Sequence, residues 1–388
     1  MKRNIALLGS TGSIGRNTLE IVRNNREKFN ISSLVCGSNI DLIRAQINEF
    51  TPSVVSVGSK DHQDTLRREF PLTDIYYGSD GIIEAAMHDD VDTVVTATTG
   101  THSIHATLES IKKGHRICLA NKETLVAAGD LVNEYLSKSD SELIPIDSEQ
   151  SAVFQCISSN DRKYLKKVIL TASGGPFFKL SKDEFENISV NDALKHPIWS
   201  MGKKITIDSS TLMNKALEII EAYYLFNLKE NEIDILIHPQ SVIHSMVEFE
   251  DNSIIAQMGI PDMKIPIQYS LSYPDRFESS TEQLDLAEIG NLEFFNADSD
   301  KFPSLDMAYQ VIRDKQNTGL IFNASNEVAV ENFLEGKISF SGIFYVVKNM
   351  LEKYDRSPLN SIDDISPMIE SVKIMTNEFV KENSSKME

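Results

Sequence analysis

Three acidic side chains in two separate segments are of the type that binds a hard cation. Asp147 and Glu149 stand two positions apart, directly after the apolar run "LIPI". In an extended backbone such side chains point to the same side, and close carboxylates repel each other unless a cation, a proton or an arginine lies between them. Glu218 belongs to the helical pattern "STLMNKALEII". Three carboxylates without a histidine or cysteine cluster suit Mg²⁺ or Mn²⁺, although a pair at a strand end also occurs in solvated loops.

The helical pattern around Glu218 carries further polar side chains. Asn214 and Lys215 lie about one turn before Glu218, and Ser209 or Ser210 is predicted to cap the start of this helix. Most other positions are apolar, so the polar ones need partners. Two interpretations remain open. Lys215 and Glu218 form an ion pair at a domain surface, or Glu218 binds a metal while Asn214 and Lys215 meet a substrate.

The N-terminal run "NIALLGSTGSIGRN" predicts a strand, a glycine-rich turn and a helix. Gly9, Gly12 and Gly15 follow the spacing G-x-x-G-x-x-G and not G-x-G-x-x-G. Such a turn leaves backbone N–H groups free for a diphosphate at the positive helix end, but it also serves plain close packing. The second strand ends in "VCGSN", without an acid for a ribose 2′-hydroxyl, which favours NADP. Ser38 and Asn39 can bind a 2′-phosphate or form an ordinary turn.

Three other polar stretches allow both a functional and a structural interpretation. "TASGGPF" places Ser173 at a strand end beside two glycines, which suits a phosphate or a plain turn. His238 and His244 in "IHPQSVIHSM" are more often core or interface histidines than ligands. The segment "KHPIWSMGKK" is typical of a mobile lid, although a lone histidine is usually structural. It contains His196, Trp199, Met201 and Gly202.

The composition limits the possible partners. The chain has 388 residues, which predicts two or three domains, and a formal net charge of -19. That charge argues against nucleic acid or an anionic membrane as a partner, whereas a local basic pocket can still hold a small phosphorylated substrate. The three cysteines lie far apart and are predicted to be buried thiols. Without a bilayer-spanning run or a signal cleavage site, the chain is predicted to be cytoplasmic.

Three regions follow one another along the chain. Residues 1–147 alternate short apolar runs with helical patterns, which predicts an α/β, doubly wound, Rossmann-like domain. Its predicted strands are residues 5–8, 33–36, 54–57, 75–77, 93–97, 116–120 and 143–146. Residues 148–285 mix strand and helix patterns and predict a central α+β catalytic domain. A polar connector, 286–303, leads to four amphipathic helical patterns, which predict a C-terminal four-helix bundle over 304–388.

Taken together, these motifs resemble the 1-deoxy-D-xylulose 5-phosphate reductoisomerase family. The matching stretches are "LGSTGSIG", "LANKETLVAAG", "PIDSEQSAVFQ", "TASGGPF", "HPIWSMGKKITIDSSTLMNKALEIIEA", "IHPQSVIHSMVEF", "QMGIPDMKIPIQYSLSYPDR" and "NASNEVAV". The resemblance implies a homodimeric, three-domain enzyme of the non-mevalonate isoprenoid pathway. With NADPH and Mg²⁺, Mn²⁺ or Co²⁺, it would rearrange the phosphorylated sugar and reduce the resulting aldehyde to 2-C-methyl-D-erythritol 4-phosphate. Fosmidomycin, which mimics phosphate and metal chelate together, should inhibit it.

The resemblance also implies roles for individual residues. The metal would be held by Asp147, Glu149 and Glu218. Substrate would be bound by Lys122, Ser148, Glu149, Ser173, His196, Trp199, Ser209, Asn214, Lys215 and Glu218, with Met201 in the lid and His244 nearby. The NADPH site would comprise Thr11, Gly12, Ser13, Ile14, Gly37, Ser38, Asn39, Asn121, Lys122, Glu123 and Gly202. Lys122 would also stabilise charge or transfer a proton.

One departure and two other functions bear on this interpretation. Many members of the family have a basic residue where Ser38 stands, so the sequence leaves the strength of the preference for NADPH over NADH open. A related NADPH- and metal-dependent oxidoreductase could act on another phosphorylated substrate. A dinucleotide-binding regulatory protein would perform no catalysis at all. The intact carboxylate, SGG and NKxxE motifs argue for the rearrangement, because that step needs the metal chelate.

Overall fold

The computed structural model describes residues 2–158, 160, 162–195 and 202–383. The chain forms two compact units. The first contains Met1–Thr124, Leu131–Phe154 and Asp262–Glu282, and the second contains Leu125–Asp130, Gln155–Pro261 and Gln283–Glu388. The domain boundaries expected after residues 147, 285 and 303 remain predictions.

A parallel sheet forms the centre of the first unit. Its strands are Arg3–Leu8 (β1), Phe29–Val35 (β2), Val54–Val57 (β3), Asp74–Tyr77 (β4), Thr93–Thr96 (β5), Arg116–Leu119 (β6) and Leu143–Pro145 (β7). They are arranged in the order β4-β3-β2-β1-β5-β6-β7. Because the order reverses between β1 and β5, the crevice beyond the carboxyl ends of these two strands is where such sheets bind ligands.

Buried aliphatic side chains account for these strands. Ile5, Leu7, Leu34, Val55 and Val95 are fully buried and belong to one hydrophobic cluster. Short Val, Ile and Leu runs buried on both faces are typical of a parallel sheet covered by helices. All seven predicted strands are present, with ends shifted by at most four residues. The predicted α/β, Rossmann-like architecture is confirmed.

Helices connect and follow the strands. Those up to residue 157 are Ser13–Asn24 (α1), Ile40–Phe50 (α2), Lys60–Glu69 (α3), Gly78–Met87 (α4), Ile104–Lys112 (α5), Glu123–Leu136 (α6) and Ser148–Ile157 (α7). Those further along are Val190–Ala193 (α8), Lys203–Ser210 (α9), Met213–Leu225 (α10), Lys264–Ser272 (α11), Leu286–Ile289 (α12), Ser304–Asp314 (α13), Thr318–Leu334 (α14), Phe340–Lys353 (α15) and Ile365–Asn383 (α16). Within the described part of the chain, none of these helices combines the length and apolar character that a membrane span requires.

A mixed sheet lies in the second unit. Its strands are Leu165–Ala172 (β8), Ile233–Ile237 (β9), Ile243–Phe249 (β10), Ile254–Met258 (β11) and Phe295–Asn296 (β12), in the order β11-β10-β8-β9-β12. Only β8 and β9 pair in parallel. The strand β12 comes from the segment expected to be a plain connector, since Phe295 pairs with Ile237. Its short length explains why the sequence pattern did not reveal it.

The C-terminal region contains the four expected helices, α13 to α16. Of these, α14 packs against both α15 and α16 and is buried on almost every side. It was expected to be amphipathic, so this detail was wrong. The burial includes the polar side chains Asn323, Ser325, Asn326 and Asn332. Buried amides require hydrogen-bond partners within the protein.

Candidate active site

The glycine turn after β1 combines two tightly packed glycines with one open glycine. Gly9 has φ +93°, and a Cβ there would lie 2.5 Å from the Ala97 carbonyl oxygen. A Cβ on Gly15 would overlap the Gly9 carbonyl oxygen, whereas one on Gly12 would meet that oxygen only at 3.4 Å. Gly9 and Gly15 are therefore the close-packed glycines of this turn, and Gly12 is not. Gly12 is exposed at the start of α1, so the first amides of the helix can meet an anion.

Gly15→Ala is expected to lower the free energy of unfolding by about 1–3 kcal/mol, because the added methyl forces the turn and α1 apart. The matched variant Gly12→Ala should stay within about 0.5 kcal/mol of the wild type, since its methyl meets an ordinary contact. Urea denaturation of the two variants checks this. Equal stability losses in both would contradict the packing described here.

The loop after β2 is shaped by a helix cap and by a neighbouring loop. The Asn39 side-chain oxygen accepts a hydrogen bond from the Leu42 amide at 3.1 Å and so caps α2. The Gly58 amide donates to the Gly37 carbonyl at 2.9 Å. Gly37 has open space beside its Cα, and Ser38 is exposed. The ordinary-turn interpretation thus applies to the Asn39 oxygen, while the Ser38 hydroxyl remains accessible.

Asn121 ties the loops after β5 and β6 together. Its amide nitrogen donates to the carbonyls of Thr98 and Gly100, at 2.8 and 2.6 Å. Its oxygen accepts from the amide and the hydroxyl of Thr124, at 3.1 and 2.7 Å. These bonds fix the position of Lys122, the next residue along the chain.

The segment after β7 holds Asp147 and Glu149 differently from the prediction. The extended arrangement was wrong: α7 begins at Ser148, so Glu149 lies in its first turn. The Glu149 amide donates to Asp147 Oδ1 at 3.3 Å, and the Ser148 hydroxyl donates to Glu149 Oε2 at 2.6 Å. Carboxylates at a helix N-terminus are stabilised by the helix dipole. The sequence "DSE" therefore reads as a helix start and not as a strand end.

Lys122 lies against Asp147. Its Nζ is 2.5 Å from Asp147 Oδ2, and the two side chains are only 9% and 11% exposed. Because water is largely excluded, this pair interacts more strongly than an ion pair at the surface. The ammonium group is held by α6 and the loop before it, while the carboxylate is held by the start of α7.

The glycine pair after β8 brings its loop against α9. Gly174 and Gly175 have φ of +84° and +62°, which disfavours any side chain. A Cβ on Gly175 would lie 2.7 Å from the Ser209 carbonyl oxygen. The Gly175 amide donates to the Ser173 hydroxyl oxygen at 3.3 Å. Ser173 and Ser209 therefore lie on two segments in close contact.

The segment "DSSTLMNK" forms an elbow between two helices. Ser209 and Ser210 were predicted to cap the helix that carries Glu218, and this was wrong. They occupy the last turn of α9, and α10 starts only after Leu212, whose φ is +53°. The Ser210 hydroxyl donates back to the Ile207 carbonyl at 2.8 Å, a bond typical of a serine inside a helix.

Glu218 is buried among basic and amide groups on α10. It pairs with Lys215 Nζ, and its Oε1 accepts from Asn214 Nδ2 at 2.5 Å. The Lys215 and Glu218 side chains are 2% and 1% exposed. The ion pair that the sequence allowed at a surface is therefore present but buried. Burying two charges costs free energy unless their surroundings compensate. Buried ionisable groups of this kind are typical of functional sites.

The three acidic residues come together. Asp147, Glu149 and Glu218 each offer a carboxylate oxygen, and these oxygens lie within 4.8 Å of one another. Two of the residues are half-buried and Glu218 is buried. A donor set of oxygens alone, carried by carboxylates, fits a hard divalent cation.

The structure answers only part of the histidine and lid predictions. His196, Trp199 and Met201 lie outside the described residues, and Gly202 forms the exposed start of α9. His238 is buried, with Nδ1 2.9 Å from the Glu293 carbonyl and its ring stacked on Phe294. His244 is buried too, and desolvation lowers its pKa. Both side chains are buried, as expected of core histidines, and the place of His244 near the substrate remains a prediction.

Sequence reasoning missed one buried polar link. Asn326 Nδ2 donates to Asp208 Oδ1 at 2.9 Å, although the two residues are far apart in the chain. The only signal in the sequence was the number of asparagines in "NASNEVAV", inside an otherwise apolar helical pattern.

Fold and site together define an α/β protein with a glycine turn of the dinucleotide-binding type and a cluster of carboxylates suited to a cation. Sequence models described as 1-deoxy-D-xylulose 5-phosphate reductoisomerase match residues 5–129 and, for two C-terminal domains, residues 143–226 and 258–374. The reductoisomerase of Shouchella clausii is 45% identical over 96% of this chain and 98% of its own. That of Geotalea daltonii is 46% identical over 94% and 95%. The chain belongs to the 1-deoxy-D-xylulose 5-phosphate reductoisomerase family, as its motifs predicted.

Solved structures agree with this assignment. The reductoisomerase from Zymomonas mobilis in complex with NADPH superimposes with a TM-score of 0.93, at 35% identity over 98% of this chain and 99% of that one. A reductoisomerase in complex with NADPH, fosmidomycin and magnesium gives a TM-score of 0.92, at 40% identity over 98% of both chains. Fold similarity of this extent over the whole chain confirms the architecture.

Proposed function

We propose that the chain converts 1-deoxy-D-xylulose 5-phosphate into 2-C-methyl-D-erythritol 4-phosphate, using NADPH and a divalent metal. The observation that carries the proposal is the cluster of Asp147, Glu149 and Glu218 oxygens within 4.8 Å of one another. Family membership supports the same reaction, and solved relatives contain NADPH, fosmidomycin and magnesium.

The carboxylate cluster would hold Mg²⁺, Mn²⁺ or Co²⁺. When bound, the metal polarises the substrate's hydroxyl and carbonyl oxygens and holds them in place. Ser148 lies between two of the ligands and donates to Glu149, which orients that carboxylate. Lys122 keeps a proton at Nζ beside Asp147. From there it can stabilise negative charge on the reacting oxygens or transfer a proton.

The phosphate would be bound by groups of the second unit. Ser173 and Ser209 supply hydroxyls from adjoining segments, and Asn214 adds an amide. The buried ammonium of Lys215 supplies positive charge in a chain that is acidic overall. His196 and Trp199 belong to the same proposal through the family resemblance.

The coenzyme would bind at the carboxyl edge of the parallel sheet. The turn Thr11, Gly12, Ser13 and Ile14 offers amides to the diphosphate. Gly37, Ser38 and Asn39 would lie by the adenosine ribose, and Asn121, Lys122, Glu123 and Gly202 by the nicotinamide. NADPH supplies the hydride.

Ser38→Arg is expected to lower the KM for NADPH about tenfold and to leave the KM for NADH nearly unchanged, because arginine pairs with a 2′-phosphate. Ser38→Gln, which adds length without charge, is the control. Initial rates with each coenzyme measure the effect. An equal gain for both coenzymes would contradict a 2′-phosphate position at this loop.

The test of the function is NADPH oxidation followed by absorbance. With 1-deoxy-D-xylulose 5-phosphate and Mg²⁺ or Mn²⁺, we expect turnover that a chelator stops and fosmidomycin inhibits. Background rates with every metal would overturn the proposal. Turnover only with another phosphorylated sugar would favour the related oxidoreductase. NADPH binding without any turnover would favour a regulatory protein.

We also infer a homodimer in the cytoplasm. The edge strand β11 exposes Ile254 and Ile255, by 53% and 39%, and a second copy could cover this apolar edge. The acidic charge disfavours nucleic acid. We infer the cytoplasm because the proposed reaction uses NADPH and a phosphorylated sugar.

Sedimentation should give a dimer for the wild type and for the control Leu72→Lys, and a monomer for Ile255→Lys. A monomeric wild type would contradict the dimer.

A further inference from the structure

The stretch "NASNEVAV" in α14 has no role in the reaction described so far. It places Asn326 in the middle of a helix that is buried on almost every side, with no exposed surface of its own. A buried amide is costly unless its hydrogen bonds are made. The partners of its hydrogen bonds therefore indicate the role of Asn326.

Asn326 is joined to α9 through Asp208. Its Nδ2 donates to Asp208 Oδ1 at 2.9 Å, while its Oδ1 has no hydrogen-bond partner among the described residues. Only the donor half of the amide is therefore used. Asp208 is 1% exposed, and its other oxygen pairs with Lys204 Nζ at 2.6 Å. Hydrogen bonds to a buried carboxylate are stronger than those between neutral groups.

This hydrogen bond connects the end of α9 to the C-terminal helix α14. Asp208 is the residue directly before Ser209, in the last turn of that helix. A second bond acts on the same elbow, since the Ser304 hydroxyl at the start of α13 donates to the Thr211 carbonyl at 2.8 Å. The glycine turn contacts the same segment, since a Cβ on Gly175 would lie 2.7 Å from the Ser209 carbonyl oxygen. The backbone around Ser209 is thus held by the glycine turn and by the C-terminal helices.

We propose that Asn326 is a positioning residue for the substrate's phosphate: by holding Asp208, it fixes Ser209 and the elbow that leads to Asn214 and Lys215. The inference rests on the proposed function, in which these three side chains bind that phosphate. Asn326 itself does not contact the substrate. Through it, the C-terminal helical region contributes to substrate affinity and not only to stability.

Asn326→Ala should raise the KM for 1-deoxy-D-xylulose 5-phosphate about tenfold, because the loss of one charge-assisted bond lets the end of α9 move. The kcat at saturation and the affinity for NADPH should stay close to the wild type. The exchanged pair, Asp208→Asn with Asn326→Asp, keeps one N–H···O⁻ bond and should recover most of the loss. The matched control is Asn332→Ala, a buried asparagine on the same helix that donates to the Val328 carbonyl and to Asn377 Oδ1, and not to α9.

Hydrogen exchange of residues 203–212 gives a readout that does not depend on activity. Exchange there should be faster in Asn326→Ala and unchanged in Asn332→Ala. If exchange and KM change equally in both variants, or in neither, the positioning role is overturned although the enzyme works. If the wild type does not turn over the substrate, the proposed function fails, and the role in phosphate binding fails with it. The two failures are therefore distinguishable.

Discussion

Glu218→Gln is expected to reduce turnover by about 10³-fold or more while the protein stays folded and binds NADPH. The substitution keeps size and hydrogen bonding but removes one of three negative charges that lie within 4.8 Å of one another. A hard cation loses a charged oxygen ligand, and its Lewis-acid contribution is worth several kcal/mol. Steady-state rates over a range of Mg²⁺ concentrations, with NADPH binding followed by fluorescence, measure the effect.

A matched control separates metal binding from general loss of charge. Glu248 also pairs with a lysine, Lys166 at 2.7 Å, and lies outside the proposed site. Glu248→Gln should therefore keep near-normal turnover. If Glu218→Gln kept more than about a tenth of the wild-type kcat at the usual metal concentration, a role as metal ligand would be excluded.

Lys122→Met should lower kcat by about 10²–10⁴-fold, because the site loses the proton held at Nζ beside Asp147. Methionine has a similar length and remains compatible with burial. The apparent affinity for Mg²⁺ should not fall, since Asp147 is freed from its cationic neighbour. Kinetics with metal and substrate varied independently show which parameter changes.

Lys167 provides the comparison for this variant. Its Nζ lies 2.9 Å from Asp234 in a more exposed lysine–aspartate pair, which has no role in the proposed reaction. Lys167→Met should leave kcat unchanged. A loss in Lys122→Met that appears only as weaker metal binding would contradict a direct role of the ammonium group in the chemistry.

Most of the fold could be predicted because its signals are local. The strands of the parallel sheet are short buried runs of Val, Ile and Leu, and each was expected near its observed position. The strand Phe295–Asn296 was not expected, because two residues carry no periodicity and the strand exists only through its pairing with Ile237. The helix α14 was expected to have a polar face, but its asparagines are buried through contacts that the sequence does not reveal.

The candidate site was predictable in residue type and less so in geometry. The residues Asp147, Glu149 and Glu218 were identified from their types and from the family resemblance, and their oxygens lie together. The backbone around them was misjudged, since α7 starts at Ser148 and α10 starts only after Leu212. The bond between Asn326 and Asp208 could not be foreseen, because it depends on tertiary packing between distant segments.

The most direct test of the central claim is the product formed from ¹³C-labelled 1-deoxy-D-xylulose 5-phosphate with the wild-type protein, NADPH and Mg²⁺. The nuclear magnetic resonance spectrum should show 2-C-methyl-D-erythritol 4-phosphate, with one NADPH oxidised for each molecule formed and none formed after chelation of the metal. A reduced product with an unrearranged carbon skeleton, or no product while NADPH binds normally, would contradict the account.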